Sequence, residues 1–163
     1  MCRAVSQINR QIKCTFIQSS MADIFQIFTI KASPQKVFEG ISTSQGLDQW
    51  WTKTSQINAA PGGVYLLDFG PGYSWKAVVT KYTPGLNFEL EMTDADKDWA
   101  KTKVGFSLND KDGITEVNFY HTGWPKNNDH YKISTYCWAM YLRILKRFLE
   151  YGEIVPYEKR LSV

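Results

Sequence analysis

The chain has 163 residues, 44% of them hydrophobic and 21% charged, which is enough for one domain with a buried core. Its 19 Lys and Arg residues outnumber its 16 Asp and Glu residues, but Arg3, Arg10 and Lys13 all precede the first acidic residue, Asp23. The rest of the chain, with 16 residues of each sign, balances to zero. A protein that binds a nucleic acid backbone carries a clustered basic face, so these charges argue against a nucleic acid partner. No apolar run approaches the ~18 residues of a membrane span, so none is predicted.

Aromatic residues are unusually frequent, with nine Tyr, nine Phe and six Trp beside only two His. Such an excess indicates either wide packed surfaces or a cavity with aromatic walls. The three cysteines, Cys2, Cys14 and Cys137, form no CxxC motif and no disulfide framework. We therefore expect a reducing, cytoplasmic location.

The first twenty residues differ in composition from the rest. Residues 1–20 contain no acidic residue and lack the continuous apolar core of a secretory signal. They weakly resemble a transit peptide, but an N-terminal extension outside the fold is the simpler interpretation. We predict a domain over residues 21–152, followed by a surface tail over residues 153–163.

The elements follow one another in a clear order. Residues 23–33 alternate like a strand, and Ser33 followed by Pro34 is typical of a helix start. A second short helix or turn contains "LDQWW", and residues 56–124 show about six strands separated by turns such as "PGG", "TPG" and "NDKDG". These spacings predict an antiparallel meander.

One long helix closes the domain. Residues 128–151 contain neither Pro nor Gly, and Gly152 follows them. The residues predicted to form the apolar stripe recur at helical spacing: Ile133, Cys137, Met140, Tyr141, Ile144, Leu145, Phe148 and Leu149, widened by Trp138 and Leu142. Because this stripe needs a partner, we expect the bent sheet to wrap around the helix and to leave a cavity between them.

Four stretches in this order resemble a known family. They are "IKASPQKVFEGIST" with "LDQWW", "PGG" before an aromatic strand, "VVTKYTPGLNFEL", and "TEVNFYHTGW" before a helix ending "LRILKRFLEYGE". Together they cover residues 23–152 and resemble the START-like (SRPBCC) superfamily, specifically the family of the activator of heat-shock protein 90 ATPase. The resemblance implies an α+β helix-grip fold, with seven antiparallel strands around the C-terminal helix and two short helices after strand 1.

The same resemblance implies an internal hydrophobic cavity and suggests a chaperone as a partner. The eukaryotic activator carries this module beside a separate chaperone-binding domain, for which this chain has no room. The chaperone role is therefore an alternative and not the leading hypothesis.

Strand alternation supplies candidate cavity residues. Counting in steps of two along each strand, and adding the paired tryptophans and the helix, gives Trp50, Trp51, Tyr65, Leu67, Phe69, Trp75, Val79, Phe88, Leu90, Phe106, Phe119, His121, Tyr136, Met140 and Tyr141. One indole of the Trp50–Trp51 pair is expected to plug the cavity end and the other to pack under the two short helices. His121 shares a face with Val117 and Phe119, so it either orients a ligand's polar group or is a structural histidine hydrogen-bonded to a backbone carbonyl or a tyrosine.

Residues for metal, cofactor or covalent chemistry are not evident. His121 and His130 lie on different elements, and the Asp94–Asp96–Asp98 cluster lacks the Gly and terminal Glu of a calcium loop. The sequence contains none of the motifs GxGxxG, GxxxxGK[ST] and GxSxG, and Cys137 belongs to an apolar stripe. We predict no cofactor, no metal and no catalytic residue.

The leading hypothesis is a binding module for a small hydrophobic or amphipathic ligand. One alternative is a chaperone-modulating protein-interaction domain, which would need an exposed apolar patch, for instance at Trp124 and Pro125. The other is a cyclase- or hydrolase-like enzyme, which would need an acid/base pair in the pocket. The ligand and the oligomeric state do not follow from the sequence.

Overall fold

A computed structural model describes residues 22–162, so the predicted extension over residues 1–20 lies outside the described part. The strands are β1 (Ala22–Ile30), β2 (Thr54–Ile57), β3 (Val64–Asp68), β4 (Ser74–Thr83), β5 (Asn87–Asp94), β6 (Lys103–Lys111) and β7 (Ile114–Trp124). The helices are α1 (Pro34–Ser42), α2 (Ser44–Trp50) and α3 (Asp129–Tyr151), followed by a 3-10 helix, Tyr157–Ser162.

The strands form one antiparallel sheet in the order β1-β7-β6-β5-β4-β3-β2. The core lies between the inner face of this sheet and the three α-helices, with Trp138 and Leu145 of α3 almost fully buried. The predicted α+β class, seven-stranded antiparallel sheet, short helices and long C-terminal helix are confirmed.

Local hydrogen bonds explain where the helices begin and end. Ser33 Oγ accepts from the Lys36 amide at 3.3 Å, and Pro34 occupies the first turn of α1, as predicted. Asn128 Oδ1 accepts from the Tyr131 amide at 2.9 Å at the start of α3. Gly152 ends α3 with φ 68°, a left-handed conformation that glycine adopts without steric cost.

Six of the seven buried residues of α3 belong to the predicted stripe, and the difference lies at the start of the helix. Ser134 and Trp138 face the core, whereas Ile133 is 60% exposed and Tyr136 is 75% exposed. Trp138, on the buried face, donates its indole N–H to His121 of β7. Apolar spacing alone favoured Ile133 over Ser134 and so misplaced only the beginning of the stripe.

The segment after α3 is also more integrated than a surface tail. Arg160 is only 3% exposed, and its guanidinium donates to the Thr52 carbonyl at 3.0 Å and the Asp48 carbonyl at 2.6 Å. Tyr157 donates its hydroxyl to the Phe69 carbonyl at 2.6 Å. Arg160 and Tyr157 are held by hydrogen bonds and belong to no periodic pattern of apolar residues, so the sequence did not predict their contacts. Within residues 22–162, no helix combines the length and apolar character needed to cross a membrane.

Candidate functional site: an aromatic-walled cavity

A cavity of about 290 Å³ lies beside α3, next to the residues that follow β3 and β5. Its walls come from the end of α2, the β3–β4 loop with the start of β4, the β5–β6 loop and one face of α3. The lining residues are Trp51, Tyr73, Trp75, Asp96, Trp99, His130, Ile133, Ser134, Cys137, Trp138 and Tyr141. Four of the six tryptophans in the sequence therefore meet at one site.

These tryptophans belong to a closed circle of aromatic contacts, here called the aromatic collar: Trp51, Phe69, Trp75, Trp99 and Trp138. Successive ring centroids around the collar are 5.4, 4.9, 4.9, 5.7 and 5.1 Å apart. These spacings lie in the range of favourable aromatic pairs, so the rings hold one another in place. The collar thereby joins α2, the sheet and α3 into one wall.

A directed chain of hydrogen bonds supports two collar residues from behind. Trp138 Nε1, which can only donate, donates to His121 Nδ1 at 2.9 Å, so His121 carries its proton on Nε2. His121 Nε2 then donates to Thr102 Oγ1 at 2.8 Å, and the Thr102 hydroxyl donates to the Trp99 carbonyl at 2.6 Å. Burial lowers the pKa of His121 to about 3, and the proximity of His130 adds to the effect. His121 is thus a neutral link between Trp138 and Trp99.

The predicted cavity residues separate into groups. Trp51, Trp75 and Tyr141 line the cavity, and Phe69 belongs to the collar. The core behind it contains Trp50, Tyr65, Leu67, Val79, Phe88, Leu90, Phe106, Phe119 and His121, each at most 2% exposed. Trp50 donates its indole N–H to the Gly40 carbonyl at 2.9 Å, so it packs under the two short helices while Trp51 faces the cavity.

Two predicted cavity residues lie in a different groove, and one predicted surface patch is not formed. Tyr136 and Met140 border a separate groove along α3 together with Arg143 and Arg147. This side of the helix faces away from the aromatic collar. Trp124 is only 1% exposed, so the predicted apolar patch at Trp124 and Pro125 is not formed. His121 has both ring nitrogens bonded within the core and does not line the cavity.

The predicted cavity set omits eight of the eleven lining residues: Tyr73, Asp96, Trp99, His130, Ile133, Ser134, Cys137 and Trp138. Trp99 and Asp96 lie in the loop "DADKDWAKT", which was considered only as a calcium loop, although an indole among so many charges indicates burial. His130 was considered only as a metal ligand. It lines the cavity, and its Nδ1 lies 3.3 Å from Asp98 Oδ2, which also accepts from Asn128 Nδ2 at 2.9 Å.

Burial controls the protonation of two titratable groups that line the cavity. Burial raises the pKa of the Tyr141 hydroxyl to about 12 and also raises the pKa of the Cys137 thiol, so both groups are protonated near neutral pH. Across residues 22–162, no three His, Cys, Asp or Glu side chains group closely enough to hold a metal ion.

Another hollow, of about 360 Å³, lies between α1, α2 and the end of α3. Its lining includes Lys36, Glu39 and Gln45, and Phe148 is its one aromatic residue. We therefore regard the aromatic-walled cavity as the candidate site.

The seven-stranded sheet around a long C-terminal helix defines a START-like helix-grip protein, here with an aromatic-walled cavity. The chain belongs to the family described as Activator of Hsp90 ATPase homolog 1-like protein, whose model matches residues 31–150. A search of the curated proteins gave no match.

Solved structures agree with this family and fold. The solution structure of the Aha1 dimer from Colwellia psychrerythraea is 29% identical, with a TM-score of 0.74, over 82% of this chain and 99% of that one. A protein from Mesorhizobium loti is 15% identical with a TM-score of 0.69, over 82% of this chain and 100% of that one. CalU16 from Micromonospora echinospora is 14% identical with a TM-score of 0.66, over 86% and 83% of the two chains. The last two similarities concern the fold alone.

Proposed function

We propose that this protein binds one small hydrophobic or amphipathic molecule in the cavity beside α3. The observation that carries the proposal is the convergence of Trp51, Trp75, Trp99 and Trp138 on a space of about 290 Å³. A mostly apolar cavity near this size, with a few polar groups, is typical of small-molecule sites. The hydroxyls of Tyr73, Ser134 and Tyr141 are available to orient the ligand's polar end.

The enzyme alternative has less support than binding. It depended on His121 as an acid or base, and that imidazole is fully buried with both nitrogens engaged. His130 lines the cavity and is paired with Asp98, a pair that the sequence analysis did not consider. Cys137 is a candidate nucleophile on the lining. Burial raises the pKa of its thiol, so it is poorly activated.

Native mass spectrometry of the full chain beside a denatured control tests the proposal. We expect a bound small molecule that is lost on denaturation. Titration with a neutral fluorescent probe, N-phenyl-1-naphthylamine, then gives a dissociation constant for the same site. A chain that carries nothing and does not bind the probe would refute the proposed function.

Two variants of α3 test whether the ligand occupies this cavity. Cys137→Phe places a ring in the space, whereas Ala139→Phe adds the same ring at an exposed position two residues away. We expect Cys137→Phe to weaken probe binding by about tenfold or more, and Ala139→Phe to leave it unchanged. Equal binding by both variants would place the probe elsewhere.

Self-association is a second candidate function, favoured by an exposed pair on the sheet edge. Phe25 and Ile27 of β1 are 68% and 72% exposed, and β1 has a pairing strand on one side only. Exposed apolar residues on an edge strand are typical of surfaces that pair with another chain. Light scattering of the native chain should give the mass of a dimer, and the mass should fall in the Phe25→Ser variant. The exposed control Leu86→Ser should keep the dimer mass. A monomer mass for the native chain and both variants would refute this candidate.

A further inference from the structure

The walls of the aromatic cavity are suited to one chemical class of ligand. Tryptophan contributes four of the lining residues, and Lys and Arg contribute none. The face of an indole carries a negative electrostatic potential, and tryptophan attracts cations more strongly than phenylalanine or tyrosine does. A cavity lined by several indoles, with no Lys or Arg on its lining, favours a positively charged guest over an anionic one.

Several rings of the aromatic collar lie close enough together to interact with the same cation. Trp51, Trp75, Trp99 and Trp138 belong to the same closed circle of ring contacts, in which successive centroids lie 4.9 to 5.7 Å apart. Cation–π attraction extends to about 6 Å from a ring centroid, so one compact cation in the cavity can interact with more than one ring.

The fixed charges of the lining point in the same direction. Asp96 is the lining carboxylate, and its backbone carbonyl holds the loop by accepting from the Trp99 and Ala100 amides at 2.8 and 2.9 Å. Within residues 22–162, its carboxylate makes no hydrogen bond or ion pair that would neutralise it. His130 is paired with Asp98, so the two together add no net positive charge, whichever form His130 takes.

We propose that the cavity selects a small quaternary ammonium compound that carries a hydrophobic tail. This inference rests on the proposed function, since it names the ligand class of the same site. A primary ammonium presents three N–H donors, which the few hydroxyls and single carboxylate of the lining serve poorly. A quaternary ammonium donates no hydrogen bonds, so aromatic faces and one nearby carboxylate are sufficient for it.

A pair of probes of the same shape tests the charge preference. Benzyltrimethylammonium and neopentylbenzene differ in having nitrogen or carbon at the branched centre, and both quench or shift tryptophan fluorescence if they enter the cavity. We expect the full chain to bind the cation about tenfold or more tightly than the neutral compound. Equal or tighter binding of neopentylbenzene would overturn the cation preference and leave the proposed function standing. If neither compound binds and N-phenyl-1-naphthylamine also fails, the proposed function fails with it.

A matched pair of aspartate variants tests the role of the carboxylate. Asp96→Asn removes the charge at the lining, whereas Asp94→Asn removes one at an exposed position that does not line the cavity. We expect Asp96→Asn to weaken binding of benzyltrimethylammonium by about three- to tenfold and to leave neopentylbenzene binding unchanged. Asp94→Asn should change neither. If Asp96→Asn leaves binding of the cation unchanged, or weakens both compounds equally, the carboxylate does not select the charge and this part of the proposal is refuted.

Discussion

His121 Nδ1 accepts a hydrogen bond of 2.9 Å from Trp138 Nε1, and this bond ties α3 to β7 inside the core. His121 is 0% exposed and Trp138 is 1% exposed, so neither group can exchange this partner for water. The acceptor must be an unprotonated ring nitrogen, because an imidazolium has only donors. The fold therefore requires neutral His121, and its pKa is lowered from 6.5 to about 3, chiefly by burial.

The first prediction is a loss of stability in mild acid. Because the folded-state pKa of His121 is lowered, the unfolded chain binds the proton first as pH falls. The free energy of unfolding contributed by neutral His121 is thus fully present above its unfolded pKa of 6.5 and declines as pH falls from there toward 3. Urea unfolding measured from about pH 7.5 to about pH 5 should give a slope approaching 1.4 kcal/mol per pH unit below the unfolded pKa.

The variant His121→Gln separates this effect from other titrations. All other ionisable groups remain, so the difference between the two pH profiles reports on His121 alone. We expect the variant to be less stable at neutral pH by about 1–3 kcal/mol, with a flatter profile below about pH 6.5. Parallel profiles for the two proteins would show that protonation of His121 does not control stability.

The outer face of the sheet contains a second buried polar cluster, centred on Glu89. This carboxylate is 4% exposed and accepts from Tyr120 at 2.5 Å, Lys81 at 2.8 Å and Thr80 at 2.7 Å. Burial alone raises the pKa of Glu89, but the hydrogen bonds donated by Lys81, Tyr120 and Thr80 outweigh it and hold the pKa below its usual value. Tyr120 reaches Glu89 only because its ring lies directly over Gly105, where there is no side chain.

The second prediction is that Gly105→Ala destabilises the fold. A Cβ at this position would lie 2.2 Å from Tyr120 Cζ, so the ring would have to move and its bond to Glu89 would break. We expect a cost of about 2–3 kcal/mol in the free energy of unfolding, measured in urea.

A double-mutant cycle identifies the cause. In a Tyr120→Ala background the space over Gly105 is empty, so adding Gly105→Ala should cost less than about 0.5 kcal/mol. If the substitution is as costly in that background as in the native chain, the contact with Tyr120 is not responsible.

The sheet was predictable from the sequence because side chains in a strand alternate strictly between two faces. Tyr65 and Leu67 of β3, and Phe88 and Leu90 of β5, are all at most 2% exposed, as the alternation predicts. The same rule assigns Glu89 to the outer face, but its burial depends on partners from β4 and β7 that pair with it only in the folded sheet.

The cavity was less predictable because loops have no period. Trp99 reaches the aromatic collar from an acidic loop whose conformation depends on hydrogen bonds from Thr102 and to the Asp96 carbonyl. Tyr136 was assigned to the cavity from helical spacing, yet it is 75% exposed, whereas Trp138 is buried and bonded to His121. Patterns local in sequence therefore identified residues of the packed core, but not most of the residues around the cavity.

The third prediction concerns Arg160, which stabilises the end of α2 from the C-terminal segment. Its guanidinium donates to the carbonyls of Asp48 and Thr52, at 2.6 and 3.0 Å, where the negative end of the helix dipole favours a cation. Arg160→Met leaves both carbonyls without this donor and should lower the free energy of unfolding by about 2–3 kcal/mol. Arg160→Lys should restore less than half of the lost free energy of unfolding, because one ammonium group does not reproduce the several N–H donors of the planar guanidinium.

Trp51 directly follows α2 and forms a wall of the cavity. The Arg160→Met variant should therefore also change the tryptophan emission of the folded protein and weaken binding of N-phenyl-1-naphthylamine. The exposed neighbour Lys159→Met is the matched control and should stay within about 0.5 kcal/mol of the native chain, with unchanged emission. Urea unfolding and fluorescence of the three variants measure both effects on the same samples. If Arg160→Met is as stable as Lys159→Met, the C-terminal segment does not support α2. If it is destabilised but keeps native emission and probe affinity, the position of Trp51 is set by the aromatic collar alone.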